Sequence, residues 1–142
     1  MTVVRKRFDR ELFDKCDDPA RQATADYLES IGLEVRDHPN RYAQDLIASD
    51  DTQEFLVECE VKRVWTTHDF PYDTVQLPER KSKFFDQSTQ FFIWNKDFVT
   101  AMTFWSDDIK DLTPVEVPNK YMYKDEYFFQ VPMELVEQVD AP

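Results

Sequence analysis

The sequence predicts an α/β fold: a single domain in which helices flank a mixed central sheet. Three observations predict it. A helical apolar period ends at Gly32 and gives way to a period of two, the signature of a change from helix to strand. Short strand-like runs then recur, separated by turn residues and interrupted once by a helix-like stretch. The 142 residues are 42% hydrophobic and 15% aromatic, enough bulk for one compact core and too little length for two comfortable domains.

Asp18-Pro19 opens the first helix, with an Asp cap and proline at the first helical position. Ala20, Ala23, Thr24, Tyr27, Leu28 and Ile31 follow at helical spacing over roughly 19–31, and Gly32 supplies the stop. Leu33 and Val35 open a short strand, His38-Pro39-Asn40 turns, and an extended segment runs from about Tyr42 to Ala48. Ser49-Asp50-Asp51 reads as a hairpin turn made without glycine. A third strand covers about Glu54 to Val64, with Phe55, Val57, Cys59 and Val61 on one side and Glu58, Glu60 and Lys62 on the other. Residues 66–78 read as loop, Glu79 to Gln87 as a helix, and Gln90–Trp94 and Phe98–Trp105 as strands about a turn at 95–97. Pro114, Pro118 and Pro132 break the remainder into short pieces, with Tyr127–Val131 an expected edge strand. The expected organisation is an arm or helix at 1–17, a core at 18–105, and an acidic C-terminal extension at 106–142 packed on that core.

Composition excludes several classes. No run approaches the roughly 20 apolar residues of a membrane span, and residues 1–10 have no apolar signal core, so a cytoplasmic protein is expected. Cys16 and Cys59 are too few for a zinc site or a disulfide framework and read as small buried hydrophobes. With one glycine there is no phosphate-cradling loop, and His38 and His68 lack companions at ligand spacing. The net charge of −12 works against gripping nucleic-acid backbone. Half of it lies in residues 106–142, which hold nine acids and three bases. Trp65, Trp94 and Trp105 end or flank strands and read as core.

The informative feature is Glu58-x-Glu60-x-Lys62 on one strand face. A solvated face with cross-strand pairing accounts for such a pattern. Burying carboxylates without partners costs several kcal/mol each, so an acidic cluster inside the fold needs a cation. Asp45 favours the second arrangement. A hairpin turn centred near residue 51 pairs residues whose numbers sum to about 103 to 105, which places Asp45 beside residues 58 to 60. Two carboxylates there suit Mg²⁺ or Mn²⁺, with Asp45, Glu60, the Val61 carbonyl and Glu58 as the candidate ligand set. Such an ion, with Lys62 assisting the water or the transition state, is what phosphodiester hydrolysis requires.

Asp45 followed by Glu60-Val61-Lys62, in a helix–three strands–helix–strand order, resembles the PD-(D/E)XK nuclease superfamily of restriction enzymes, resolvases and phage exonucleases. Gln44 stands where the family often has proline. The resemblance implies a restriction-endonuclease-like αβββαβ core, Mg²⁺-dependent cleavage of DNA with Asp45, Glu60 and Lys62 as catalytic residues, and a further polar residue from the first helix, with Gln22, Asp26 and Glu29 as candidates. It also implies that the second helix faces the scissile phosphate, making Arg63, Arg80, Lys81 and Lys83 the expected nucleic-acid contacts, and that a homodimer or a phage origin would be unsurprising. The competing expectation is a nuclease-fold protein with little or no activity, whose acidic surface docks a basic protein partner.

Overall fold

The computed structural model describes residues 18–40, 42–118 and 126–142; the expected arm at 1–17, with Cys16, lies outside them. Helix α1 spans Asp18–Ser30. Ala20, Arg21, Thr24, Ala25 and Leu28 form its buried stripe, spaced as one face of a 3.6-residue period. The stop falls as expected. Gly32 takes φ of 100°, its N–H donates to the Glu29 carbonyl, and the Leu33 N–H donates to the Leu28 carbonyl. That paired closure needs a left-handed residue, which glycine supplies without a Cβ penalty. Ile31 departs from the expected stripe, being 57% exposed beside this cap.

The chain then forms β1 (Glu34–Asp37), β2 (Leu46–Ser49) and β3 (Glu54–Val61). The glycine-free hairpin turn holds because the Asp50 carboxylate accepts the N–H groups of Thr52 and Gln53 at 2.8 and 3.0 Å. After a long connection come β5 (Thr89–Trp94) and β6 (Thr100–Trp105), and the chain closes with β9 (Glu137–Asp140). Among the described residues these make a six-stranded sheet in the order β1-β2-β3-β5-β6-β9. Only β3 and β5 run parallel; the other neighbours are antiparallel, so the sheet is mixed as expected.

A parallel step requires a crossover, and this one covers the face opposite α1. It carries a strand, β4 (Thr74–Pro78), within what the sequence presents as loop. The helix expected over 79–87 is a shorter 3₁₀ helix, Glu79–Phe84, in which only Phe84 is buried. β7 (Val115–Val117) and β8 (Glu126–Pro132) join β4 in a second sheet, order β4-β8-β7. The expected edge strand over 127–131 is therefore the middle strand of this small sheet, and Pro132 stands at its end opposite Thr74.

The central sheet thus separates two cores. Under α1 lie Leu28, Phe55, Val57, Cys59, Phe92 and Trp94. Under the second sheet lie Trp65, Leu77, Phe91, Ile93, Phe104 and Phe129. Trp65 and Trp94 are fully buried and Trp105 packs at the margin, so the tryptophans serve the core as expected. The Trp94 indole N–H donates to the Thr24 hydroxyl at 2.8 Å, and that hydroxyl donates to the Ala20 carbonyl, which fixes α1 against the sheet with its polar atoms satisfied. Among the described residues no helix is long and apolar enough to cross a membrane.

Candidate functional site

The β2–β3 register pairs Leu46 with Val57, a sum of 103, and so continues to Asp45 beside Glu58 rather than Glu60. β2 begins only at Leu46, so Asp45 sits just before the ladder, where its carboxylate takes the place of a strand partner. Its Oδ2 accepts the Cys59 backbone N–H at 3.0 Å, and the Cys59 thiol donates to the same oxygen at 3.5 Å. Its Oδ1 accepts from the Arg21 guanidinium at 3.2 Å. The first-helix contribution is therefore Arg21. Gln22 instead donates to Asp26 on the helix surface. Arg21 could be inferred from the sequence only by noticing a charged residue three positions before Thr24 and seven before Leu28, on the buried stripe itself.

Glu58 lies on the face opposite Cys59 and is 8% exposed. Its Oε2 accepts from the Lys81 ammonium at 2.5 Å, while its buried Oε1 has no hydrogen-bond partner. Burial first, and then the Asp45 carboxylate, push the Glu58 carboxyl up to about 8 against the opposing pull of Lys81. Burial alone would lower Lys81, but the Glu58 carboxylate outweighs it, with Glu60 and Asp45 adding to the effect, and Lys81 holds its proton above the ordinary range. Both shifts run toward binding a proton, for Glu58 through burial first and the Asp45 carboxylate second, and for Lys81 through the surrounding carboxylates against its burial. Asp45, Glu58 and Glu60 all act on Lys81, and Arg21 pairs with Asp45. Two ionised carboxylates are both acceptors, so Asp45 serves Glu58 Oε1 only when one of the pair carries a proton, and otherwise a cation or a water molecule would have to meet it. Cys59, pushed well up by burial and then by Asp45, stays a thiol.

Glu60 and Lys62 stand farther along. With Val61, Val75, Gln76, Pro78, Ile93 and Phe128 they line a groove of about 270 Å³ between the end of β3 and the second sheet. The Lys62 N–H donates to the Trp94 carbonyl at 2.8 Å, ending the parallel ladder, and its ammonium lies 5.2 Å from the centre of the Tyr72 ring. The structure thus brings together Asp45, Glu58 and Lys81, with Glu60 near enough to act on Lys81, and sets Lys62 over an aromatic ring at the groove. Val61, where the ladder ends, is half-buried. Of the other expected nucleic-acid contacts, Arg63, Arg80 and Lys83 are exposed, and the Lys83 ammonium lies 5.0 Å from the Phe84 ring centre.

Among the described residues no three His, Cys, Asp or Glu side chains converge as a ready-made metal cage. Magnesium does not ask for one: it is commonly held by one or two carboxylates, waters and substrate phosphate. Asp45 and Glu58, adjacent carboxylates of which Glu58 keeps a buried oxygen without a partner, fit that lesser demand. Comparison of the chain with known protein families, with characterised proteins and with solved structures returns no match.

Proposed function

We propose that the chain is a divalent-metal-dependent nuclease with a restriction-endonuclease-like core, and that its metal site is formed by Asp45 and Glu58 with Glu60 beside them. The observation that carries this is the unpartnered Oε1 of buried Glu58 next to Asp45. The element order supports it: a helix, three antiparallel strands, a crossover and a parallel strand, with the carboxylates where β2 and β3 part. The crossover's strand and 3₁₀ helix take the place of the second long helix.

A bound Mg²⁺ or Mn²⁺ would supply charge stabilisation to the phosphate and an acidified water. This chain's residues do the rest. Arg21 and the Cys59 N–H hold the Asp45 carboxylate in one orientation. Lys81, anchored on Glu58, places a cation beside the carboxylates, the part for which Lys62 is the sequence candidate. Lys62, which lines the groove, would meet a phosphate farther along the strand.

The test is titration of Mn²⁺ into the protein, together with cleavage of single-stranded, duplex and branched DNA in Mg²⁺. Glu58→Gln and Asp45→Asn should abolish metal binding, and Lys81→Met should slow cleavage by on the order of 10²-fold or more with metal binding retained. Wild-type protein that binds no Mn²⁺ at millimolar concentration and cuts none of these substrates would sink the proposal. That outcome would favour a second reading, an acidic docking module for a basic protein. One observation speaks for it: Arg21 and Lys81 already give Asp45 and Glu58 a cation each, in a chain of net charge −12.

A further inference from the structure

We propose that Gln44 is a positioning residue of the carboxylate cluster: through the Thr89 hydroxyl its amide holds the end of the 3₁₀ helix that carries Lys81, and so keeps the Lys81 ammonium against Glu58. The inference rests on the nuclease reading for what Lys81 does there, and it names the residue that aims it. Gln44 and Asp45 are consecutive, both stand before β2 begins, and their side chains part. The Asp45 carboxylate goes to Arg21 and to the Cys59 N–H. The Gln44 amide goes to the crossover: its Nε2 donates to the Thr89 hydroxyl at 3.0 Å and lies 3.5 Å from the Phe84 carbonyl. The Thr89 hydroxyl is itself 3.0 Å from both the Phe84 and the Gln87 carbonyls. Because Gln44 donates into that hydroxyl oxygen, the hydroxyl hydrogen is left to point at one of these carbonyls. Gln44 is 5% exposed and Thr89 0%, so the relay is buried, where a donor lost is not replaced by water.

The helix needs such an anchor. Of its residues Glu79–Phe84 only Phe84 is buried, and no side chain caps its start. In a 3₁₀ helix residues three apart lie one above the other, so Lys81 and Phe84 share a face. The Lys81 ammonium accordingly lies 5.7 Å from the centre of the Phe84 ring. Fixing Phe84 therefore fixes the base from which Lys81 reaches Glu58. That reach has little tolerance, because the two side chains are only 16% and 10% exposed. A buried ion pair that loses its geometry keeps its desolvation cost and loses its attraction. Gln44 thus joins the two halves of the cluster: its backbone leads into Asp45, and its side chain holds the element that bears Lys81.

The experiment uses the full chain and Gln44→Met, which keeps the length and bulk of the side chain but cannot donate to Thr89. Thr89→Val breaks the same relay from its other end. Acylation of lysines, followed residue by residue by mass spectrometry, reports on Lys81 without metal or DNA. Lys81 should react about fivefold faster or more in either variant, the scale of one hydrogen bond lost, while the exposed Lys83 of the same helix reacts as before. In DNA cleavage with Mg²⁺, Gln44→Met should lower kcat about tenfold or more, with KM and Mn²⁺ affinity within about threefold of the wild type. In a Lys81→Met background the same substitution should lower kcat no further, because its effect runs through Lys81. Unchanged Lys81 labelling in both variants, or an equal loss of kcat with and without Lys81, would overturn the assignment. Failure of both variants to fold would overturn it too, because the relay would then support the whole core rather than aim one side chain. Wild-type protein that binds no Mn²⁺ and cuts no DNA discards the nuclease reading, and the labelling then decides the role of Gln44 on its own.

Discussion

Glu58 is the residue at which sequence pattern, burial and chemistry meet. Burial first, and then the Asp45 carboxylate, push its carboxyl up to about 8 from an ordinary value of 4.5. A carboxyl whose folded value is raised stabilises the fold in its protonated form. That contribution is complete below about pH 4.5 and is lost as pH rises through 8. Glu58→Gln, which keeps the shape and cannot ionise, should therefore gain on the wild type across this window by up to about 5 kcal/mol, and then level off. Urea unfolding of both proteins in EDTA between pH 5 and 9 measures the difference. A difference that moved the other way, with the wild type gaining as pH rises, would mean that the Lys81 ion pair dominates and that the carboxyl is not raised. The carboxylates themselves were legible because charged residues alternate along a strand whose other face is apolar. Their partners were less so. Hairpin arithmetic leaves a two-residue uncertainty, and Glu58 and Glu60 share a face, so both satisfy it. Lys81 reaches Glu58 from 23 positions away, through a crossover whose path no local pattern encodes.

At the scale of elements, β9 shows how the end of the chain is fastened to the sheet. It pairs with β6 through Thr100–Thr103, and its side chains reach across the edge. Gln138 donates to the His68 carbonyl at 2.7 Å and to the Thr100 hydroxyl at 3.0 Å, and the His68 imidazole meets the Asp140 carboxylate at 2.8 Å. Asp140 is held below its usual range by the Thr100 hydroxyl and then by His68, while His68 is raised above 6.5 by Asp140 and then Asp69. A raised histidine contributes its stability below its unfolded value and loses it as pH rises through the folded one. The β9 amides should therefore show a larger drop in hydrogen-exchange protection in His68→Ala at pH 6 than at pH 8.5. Equal drops at both pH values would reduce the contact to a neutral hydrogen bond. The elements the sequence hid have physical reasons of the same local kind. β4 carries the right alternation, Val75 and Leu77 inward and Gln76 outward, but it is five residues long and bounded by prolines and a turn. The 79–84 stretch offers a single buried residue, Phe84, too little apolar face to hold a longer α-helix against the sheet.

For the whole molecule, the decisive property is that one sheet is covered on both faces. Successive residues of β5 serve opposite cores: Phe91 and Ile93 point under the second sheet, Phe92 and Trp94 under α1. A strand buried on both faces reads as a continuous apolar run, and Phe91–Trp94 does so, which is why the strand was legible, though not its place in the sheet. The covering layers were only half legible. Helix α1 announces itself by its caps, whereas the second sheet assembles from β4, β7 and β8, separated by up to some fifty residues of sequence. Because β5 belongs to both cores, the two layers should not unfold independently. Phe92→Ala removes a ring that is 0% exposed on the helix side, and Phe91→Ala removes one that is 2% exposed on the other. Each should cost about 3–5 kcal/mol, out of the 5–15 kcal/mol typical of a domain. Each should also shift a single transition, seen at the same denaturant concentration by far-ultraviolet circular dichroism and by tryptophan fluorescence. If Phe91→Ala instead split the two signals, melting the environment of Trp65 while α1 and its packing survived, the second sheet would be a separable layer, and the groove it shares with β3 would open before the fold is lost.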